Sequence, residues 1–186
     1  MQNFLDRYIM ITKNKGKYKG GKMNRIAIVS DTHNRCLDET ANLIKEHKAD
    51  YIIFLGDLYE DGSALESKTD LATISVLGNN DYMLYGKFKD EEIIDVNGYK
   101  IFICHGHTYK VEDDLSLLRE KAEKEKFDIC LFGHTHVYHE EIINGIYYYN
   151  PGSPSIAKYS YDPTSFGILD LNNKVKFEKI IVAPAK

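Results

Sequence analysis

Nine side chains able to bind a metal or move a proton fall in five short clusters: Asp31 with His33, Asp57, Asn79 with Asp81, His105 with His107, and His134 with His136. Five of the seven histidines are among them. Taken singly, each has an ordinary structural use. Aspartate caps helices, asparagine sits in turns, and a lone histidine is usually a satisfied polar residue. Together they form a set of oxygen and imidazole donors too large for one tetrahedral zinc ion, which takes about four ligands. Two cations fit it. A carboxylate has two oxygens and can bridge two ions, and Asp57, alone on its loop after Gly56, is the candidate bridge. Two divalent ions roughly 3.5–4 Å apart lower the pKa of a shared water and stabilise both the attacking and the leaving oxygen of an in-line displacement at phosphorus. The predicted chemistry is phosphoester hydrolysis.

Such a set works only if the chain brings the five clusters to one place. Each cluster directly follows a short apolar run, at residues 26–29, 51–55, 73–77, 101–104 and 129–132. Unbroken β-branched and aromatic runs of this length predict strands buried on both faces. Ligands of open α/β sheets collect at the carboxyl ends of such strands. Residues 36–49 carry Leu37, Ala41, Ile44 and Lys48 at helical spacing, and residues 113–127 carry Leu115, Leu118, Ala122 and Phe127 among alternating Glu and Lys. These predict crossover helices and parallel strands. Asn97-Gly98, Asn144-Gly145 and Asn172-Asn173 sit between strand-like runs and predict two-residue hairpins with positive φ at their centres, hence antiparallel pairs as well. The mixture predicts two packed mixed sheets rather than a simple doubly wound fold.

The 186 residues and 43% hydrophobic content suit one soluble domain. No run approaches the ~18 apolar residues of a membrane span, so membrane partners are excluded. Three cysteines, Cys36, Cys104 and Cys130, are an odd number without C-x-x-C spacing, which points to a reducing, cytoplasmic setting. Residues 1–22 hold six basic side chains against Asp6 alone, giving that segment +5 and leaving −9 for the rest of a chain whose total is −4. The segment lacks the pattern of a signal peptide and reads as a flexible basic tail, with Met23 as an alternative start of the domain 23–186.

The motifs Asp31-Thr32-His33, Gly56-Asp57, Gly78-Asn79-Asn80-Asp81, His105-Gly106-His107 and Gly133-His134-Thr135-His136 resemble, in order, those of the calcineurin-like metallophosphoesterases. The resemblance spans roughly residues 24–182. It includes Asn150-Pro151-Gly152-Ser153-Pro154-Ser155, which is similar to the small YfcE-type phosphodiesterase branch. It implies a four-layer α/β/β/α sandwich of two mixed sheets. It further implies that Asp31, His33, Asp57 and His136 hold one metal while Asp57, Asn79, His105 and His134 hold the other. Imidazole and oxygen donors suit manganese, iron, cobalt, nickel or zinc better than magnesium or calcium, and the branch points to manganese first. Asp81 is expected to orient a ligating imidazole. Many members of the superfamily carry a histidine after the metal-binding asparagine, and the YfcE-type branch commonly a cysteine. This chain has Asn80, which can donate to a phosphate oxygen but is no general acid at pH 7. His107 is the remaining candidate for the acid. General acid catalysis is worth ~10²–10⁴-fold, so activated esters are expected to be cleaved more readily than esters with poor leaving groups.

Two dications, two carboxylates and a bridging hydroxide sum to about +1, which a diester monoanion neutralises and a monoester dianion overshoots. A small phosphodiester is therefore the expected substrate, and the −9 core argues against broad binding of nucleic acid unless the tail supplies the attraction. Tyr82, Tyr85, Tyr109, Tyr159 and Tyr161 lie near the motifs and could wall a pocket or form an interface in a homo-oligomer, although scattered tyrosines commonly serve packing. Two other functions compete. One is a protein-interaction scaffold on the same fold, as in the small retromer subunit, where the metal constellation is altered; here every metal position is filled. The other is a cysteine hydrolase using Cys104 or Cys130, both of which lie inside apolar runs where an inert thiol is expected.

Overall fold

The computed structural model describes residues 24–185; the basic segment 1–22 lies outside them. All five runs are strands: β1 (Arg25–Val29), β2 (Tyr51–Phe54), β3 (Thr73–Ser75), β5 (Tyr99–Cys104) and β6 (Ile129–Leu131), with β4 (Glu91–Val96) preceding β5. β7 (Tyr138–Ile143), β8 (Ile146–Pro151), β9 (Thr164–Asp170) and β10 (Lys176–Ala183) follow. Two five-stranded sheets result, ordered β10-β9-β1-β2-β3 and β4-β5-β6-β8-β7. β1, β2 and β3 run parallel, as do β5, β6 and β8, while β9, β10, β4 and β7 pair antiparallel at the flanks.

The continuous apolar runs are explained by burial on both faces. Ile26, Ile28, Ile53 and Leu55 of the first sheet face Ile101, Ile103, Ile129, Leu131 and Tyr149 of the second. The alternate residues Ala27, Val29, Ile52 and Phe54 face outward onto Ala41 and Ile44 of α1 (Leu37–Glu46) and Leu65 of α2 (Tyr59–Thr69). Phe102, Cys104, Cys130 and Tyr148 likewise face Leu118 and Ala122 of α3 (Ser116–Glu125). Helices therefore cover the outer face of each sheet, giving the α/β/β/α layering. At about 1.5–3 kcal/mol for each fully buried aliphatic side chain, the layer between the sheets is the main support of the strand ends. No helix of the described residues is long and apolar enough to cross a membrane.

Three local expectations need adjustment. α1 and α3 are shorter at both ends than the segments 36–49 and 113–127; left-handed backbone at Cys36 sets the start of α1, and at Lys126 the end of α3. α2 was not expected, since Gly62 interrupts its pattern. A Cβ at Gly62 would press on Ser75 and approach the Phe54 ring to 3.2 Å, so the glycine lets the helix lie close on the sheet. Asn97-Gly98 and Asn144-Gly145 do form tight turns with positive φ at both residues. Asn172-Asn173 does not: β9 ends at Asp170 and β10 begins at Lys176. The wider loop is held by Asp170, which accepts from both the backbone and the side-chain amide of Asn172.

The two sheets meet where Tyr149 of β8 stacks on Phe177 of β10, with ring centroids 4.0 Å apart and planes within 11°. Gly167 of β9 lies under the same tyrosine, and a Cβ there would stand 2.8 Å from Tyr149 Cζ. Gly167→Ala is expected to cost about 1–3 kcal/mol through overpacking, read as a lower denaturant midpoint at unchanged slope. Tyr149→Phe in the same chain should recover part of that loss. An unchanged midpoint for Gly167→Ala contradicts this packing.

Candidate metal centre

The carboxyl ends of β1, β2, β3, β5 and β6 converge where the two sheets meet, and backbone bonds tie their tips together. The Asp31 N–H donates to Gly56 C=O at 3.1 Å and the Gly133 N–H to His105 C=O at 2.9 Å. His105 Nδ1–H crosses from the second sheet to the Leu55 carbonyl of the first at 2.8 Å. Two glycines make the approach feasible. A Cβ on Gly133 would collide with the Ser30 hydroxyl, and one on Gly78 would stand 2.8 Å from Asp57 Cα.

Five of the seven expected ligands have positive φ: Asp31 (58°), His33 (48°), Asp57 (69°), His134 (69°) and His136 (57°). Left-handed backbone costs a non-glycine residue about 1–2 kcal/mol, less for Asp and His than for branched residues. The turns at the tips of β1, β2 and β6 carry this strain, and the hydrogen bonds and core around them hold them in place.

The geometry gathers Asp31, His33, Asp57, Asn79, His105 and His136, and sets the ring of His134 beside them. One atom each of Asp31, His33 and His136 lies within 4.8 Å of the others, and the same holds for Asp31, Asp57 and His105. His33 Nε2 and His136 Nε2 are 3.2 Å apart, and His136 Nε2 is 3.3 Å from Asp31 Oδ1. His105 Nε2 faces three oxygens: Asn79 Oδ1 at 3.1 Å, Asp57 Oδ1 at 3.7 Å and Asp31 Oδ1 at 3.9 Å. Asp57 turns Oδ1 to His105 and Oδ2 to His33 at 3.7 Å, so its carboxylate stands between the two groups. His134 places its backbone N–H on Asp31 Oδ2 at 3.0 Å and its ring 5.1 Å from that of His105.

Proton bookkeeping bears on whether cations fit. His105 Nδ1 and His136 Nδ1 point at the carbonyls of Leu55 and Ile156, so both carry their proton on Nδ1 and turn a bare Nε2 inward in the neutral form. Those nitrogens then face oxygens that also only accept. Asp31 Oδ1 is fully buried and has no hydrogen-bond donor, whereas Oδ2 accepts from the Ser30 hydroxyl and His134 N–H. A buried acceptor facing other acceptors is unfavourable unless a positive charge lies among them. The donor set therefore fits divalent cations. Without metal, the positive charge is a proton. Burial pushes the Asp31 carboxyl up, but the imidazoles of His136 and His105 beside it outweigh this and hold it below the ordinary range. Burial pushes His136 down, and the same Asp31 carboxylate outweighs it and holds the imidazole above its ordinary value.

The remaining expectations are placed as follows. Asp81 does not orient an imidazole. Its two oxygens accept from the backbone N–H of Tyr59 at 2.8 Å and Gly78 at 2.7 Å, so it clasps the β3 tip to the start of α2. Asn80 directs its backbone N–H and side-chain amide to Asp57 Oδ1 and Oδ2, at 3.0 and 2.7 Å. His107 lies 2.9 Å through Nε2 from the Tyr85 hydroxyl, and its Nδ1 is buried without a partner. Burial, then the nearby His105 and His134, hold His107 below its ordinary pKa. Tyr109 bonds Glu91 and packs edge-on against Phe102, which is a packing role. Tyr159 and Tyr161 stack on one another at 5.2 Å, and Tyr82 is exposed.

Three features were not legible beforehand. Glu112 places Oε2 3.5 Å from His134 Nε2, adding a carboxylate at the rim; in the run Glu112-Asp113-Asp114 nothing marks it out. Ser153 and Ser155 both donate to the Asp31 carbonyl, at 2.8 and 3.1 Å, which gives the Asn150–Ser155 segment its use. Asn150 Nδ2 adds bonds to Gly133 C=O and Thr135 Oγ1. Cys104 and Cys130 are buried, and burial raises both thiols, that of Cys130 to about 12, so neither supplies a thiolate at neutral pH.

Residues 24–174 match the calcineurin-like phosphoesterase superfamily domain. The chain is 32% identical over 152 residues to a probable metallophosphoesterase of Bacillus subtilis, YsnB, covering 80% of this chain and 85% of that protein. It is 26% identical over 170 residues to the Escherichia coli phosphodiesterase YfcE, covering 80% and 88%. Among solved structures, Vacuolar Protein Sorting 29 of Cryptosporidium parvum shares the fold with a TM-score of 0.65 at 19% identity, over 85% of this chain and 98% of that one.

Metal binding must displace the proton that His136 holds against Asp31. Since the His136 pKa is raised, that proton is present below the raised value and absent above it, so metal affinity should climb as pH rises through it. In the metal-free chain, NMR titration should place the His136 imidazole above its ordinary value, and Asp31→Asn should bring it down. An imidazole that titrates at or below the ordinary value contradicts the pairing. The metal-free pair contributes stability between the lowered Asp31 pKa and the raised His136 pKa, and loses it on either side.

Proposed function

The chain belongs to the calcineurin-like phosphoesterase superfamily, in the branch that includes YfcE, and from that membership we propose that it is a two-metal phosphodiesterase acting on small phosphodiesters. The observation that carries the proposal is the buried, donor-free Asp31 Oδ1 among inward-facing imidazole nitrogens. Asp31, His33, Asp57 and His136 would hold one cation, and Asp57, Asn79, His105 and His134 the other. When bound, such a pair lowers the pKa of a shared water and stabilises the developing charge of an in-line displacement at phosphorus. Imidazole and carboxylate donors together suit a transition metal, and manganese is the choice that the branch suggests.

The chain's own residues fix the ligands rather than move protons. Leu55 and Ile156 carbonyls set the tautomers of His105 and His136. His134 turns Nε2 toward the Glu112 carboxylate, which would orient its ring. Asn80 locks both oxygens of Asp57. The acid role remains unfilled: Asn80 is committed to Asp57, and His107 has one nitrogen on Tyr85, the other buried, and a lowered pKa that leaves it neutral at pH 7. Departure of the alkoxide or aryloxide then depends on its own stability. Glu112 brings a third carboxylate to the site, which disfavours a monoester dianion further.

The scaffold reading is supported by fold likeness alone, and the filled ligand set opposes it. Unpaired cysteines support a reducing, cytoplasmic setting. The test is hydrolysis of bis(4-nitrophenyl) phosphate and 4-nitrophenyl phosphate after metal stripping and return of Mn²⁺. Activity is expected to return with metal, to favour the diester, to persist after thiol alkylation, and to fall more than about 100-fold in Asp57→Asn and His134→Ala, since even outer partners of ligands are worth 10–100-fold. Rates across aryl diesters should drop steeply as the leaving phenol becomes less acidic. Activity that survives chelation, or is lost on alkylation, overturns the proposal.

A further inference from the structure

A groove of about 630 Å³ opens beside the metal centre, between the start of α2 and the 3₁₀ turn Asn79–Leu84. It adjoins the centre through two residues of its wall. Asn80, in its wall, holds both oxygens of Asp57, and Asn34, at its edge, directly follows His33. A phosphodiester seated against the ligands therefore has an ester arm within reach of the groove. Leu58, Ala64, Leu84 and Met83 give it an apolar lining, and Met83 is 73% exposed, a large apolar side chain left in water at the mouth.

The charges of the groove are of one sign. Glu60, Asp61 and Asp81 line it, and no lysine, arginine or histidine does. Asp61 and Asp81 are buried and already engaged. Asp61 accepts from the Thr32 hydroxyl and Asn34 N–H, both at 2.6 Å, and Asp81 from Tyr59 N–H and Gly78 N–H. Glu60 is exposed in the first turn of α2, and no ion pair or hydrogen bond of its side chain is found among the described residues. An apolar arm is welcome in such a groove, a cationic one is attracted, and an arm bearing a second anion is repelled.

We infer that this groove binds one organic arm of the phosphodiester and that Glu60 makes it select neutral or cationic arms over anionic ones. The inference rests on the phosphodiesterase reading and adds to it the chemical class of the substituent. The test uses symmetric esters, so that the identity of the arm in the groove is never in question: bis(4-trimethylammoniophenyl) phosphate and bis(4-carboxyphenyl) phosphate. With the Mn²⁺-loaded full chain, the ratio of kcat/KM for the cationic over the anionic ester should fall at least about tenfold in Glu60→Lys relative to wild type, and by less in Glu60→Gln. Comparing ratios between variants cancels the different reactivities of the two phenols. Because Glu60 is exposed, both variants should fold and keep the wild-type metal stoichiometry. An unchanged ratio in Glu60→Lys overturns the assignment. If the wild type hydrolyses neither ester, the phosphodiesterase reading fails on its own. The groove is then judged by calorimetric binding of the same two esters, where the same shift in preference sustains it and its absence overturns it.

Discussion

The structure is organised around one electrostatic constraint: imidazole nitrogens and carboxylate oxygens, all acceptors, are held facing one another in a buried space. Left alone, such groups would turn away or hydrate. Asp31 is the extreme case, with its carboxylate completely buried, one oxygen bound by Ser30 and His134 and the other left without a donor. Burial of an ion costs several kcal/mol unless it is paired. The metal-free pair with His136 supplies part of that compensation, and the donor set is suited to a stronger one from divalent cations.

Holding the acceptors in place draws on every layer of the fold. Parallel β1, β2 and β3 deliver Asp31, Asp57 and Asn79 from one sheet, and parallel β5 and β6 deliver His105 and His134 from the other. Left-handed turns at the strand tips aim the side chains, a strained choice that loose loops would abandon. Hydrogen bonds from one tip to the next, such as His105 to Leu55 and Ser153 to Asp31, make the displacement of one ligand a displacement of several. Stacking of Tyr149 on Phe177 and the aliphatic layer between the sheets set the distance between the two halves. The stability of the core and the geometry of the site are in this sense one property.

Much of this was legible in the chain before any coordinates. Strand runs buried on both faces leave unbroken apolar segments, and ligands at their ends leave clusters of Asp and His, so both signals survive in one dimension. Helix α2 left no such signal, because Gly62 serves a close approach to Phe54 and Ser75 rather than helical propensity. The loop at Asn172-Asn173 resembles a tight turn in composition, yet its width follows from the register of β9 on β10. The parts played by Asp81, Asn80 and Glu112 depend on partners distant in sequence. Asp81 reaches backbone N–H groups, Asn80 turns back on Asp57, and Glu112 meets His134 across two loops. Residue type announces that a group can bind something, whereas only the packed loops decide what it binds.

The proposed function requires that five strand tips hold two cations sharing the Asp57 carboxylate. Crystals of the full chain saturated with Mn²⁺, measured on both sides of the manganese absorption edge, test it directly. The account predicts two anomalous peaks about 3.5–4 Å apart, one against Asp31, His33 and His136, the other against Asn79, His105 and His134, with Asp57 between them. A single peak at saturation, or peaks that lie away from Asp31 and Asp57, would contradict it.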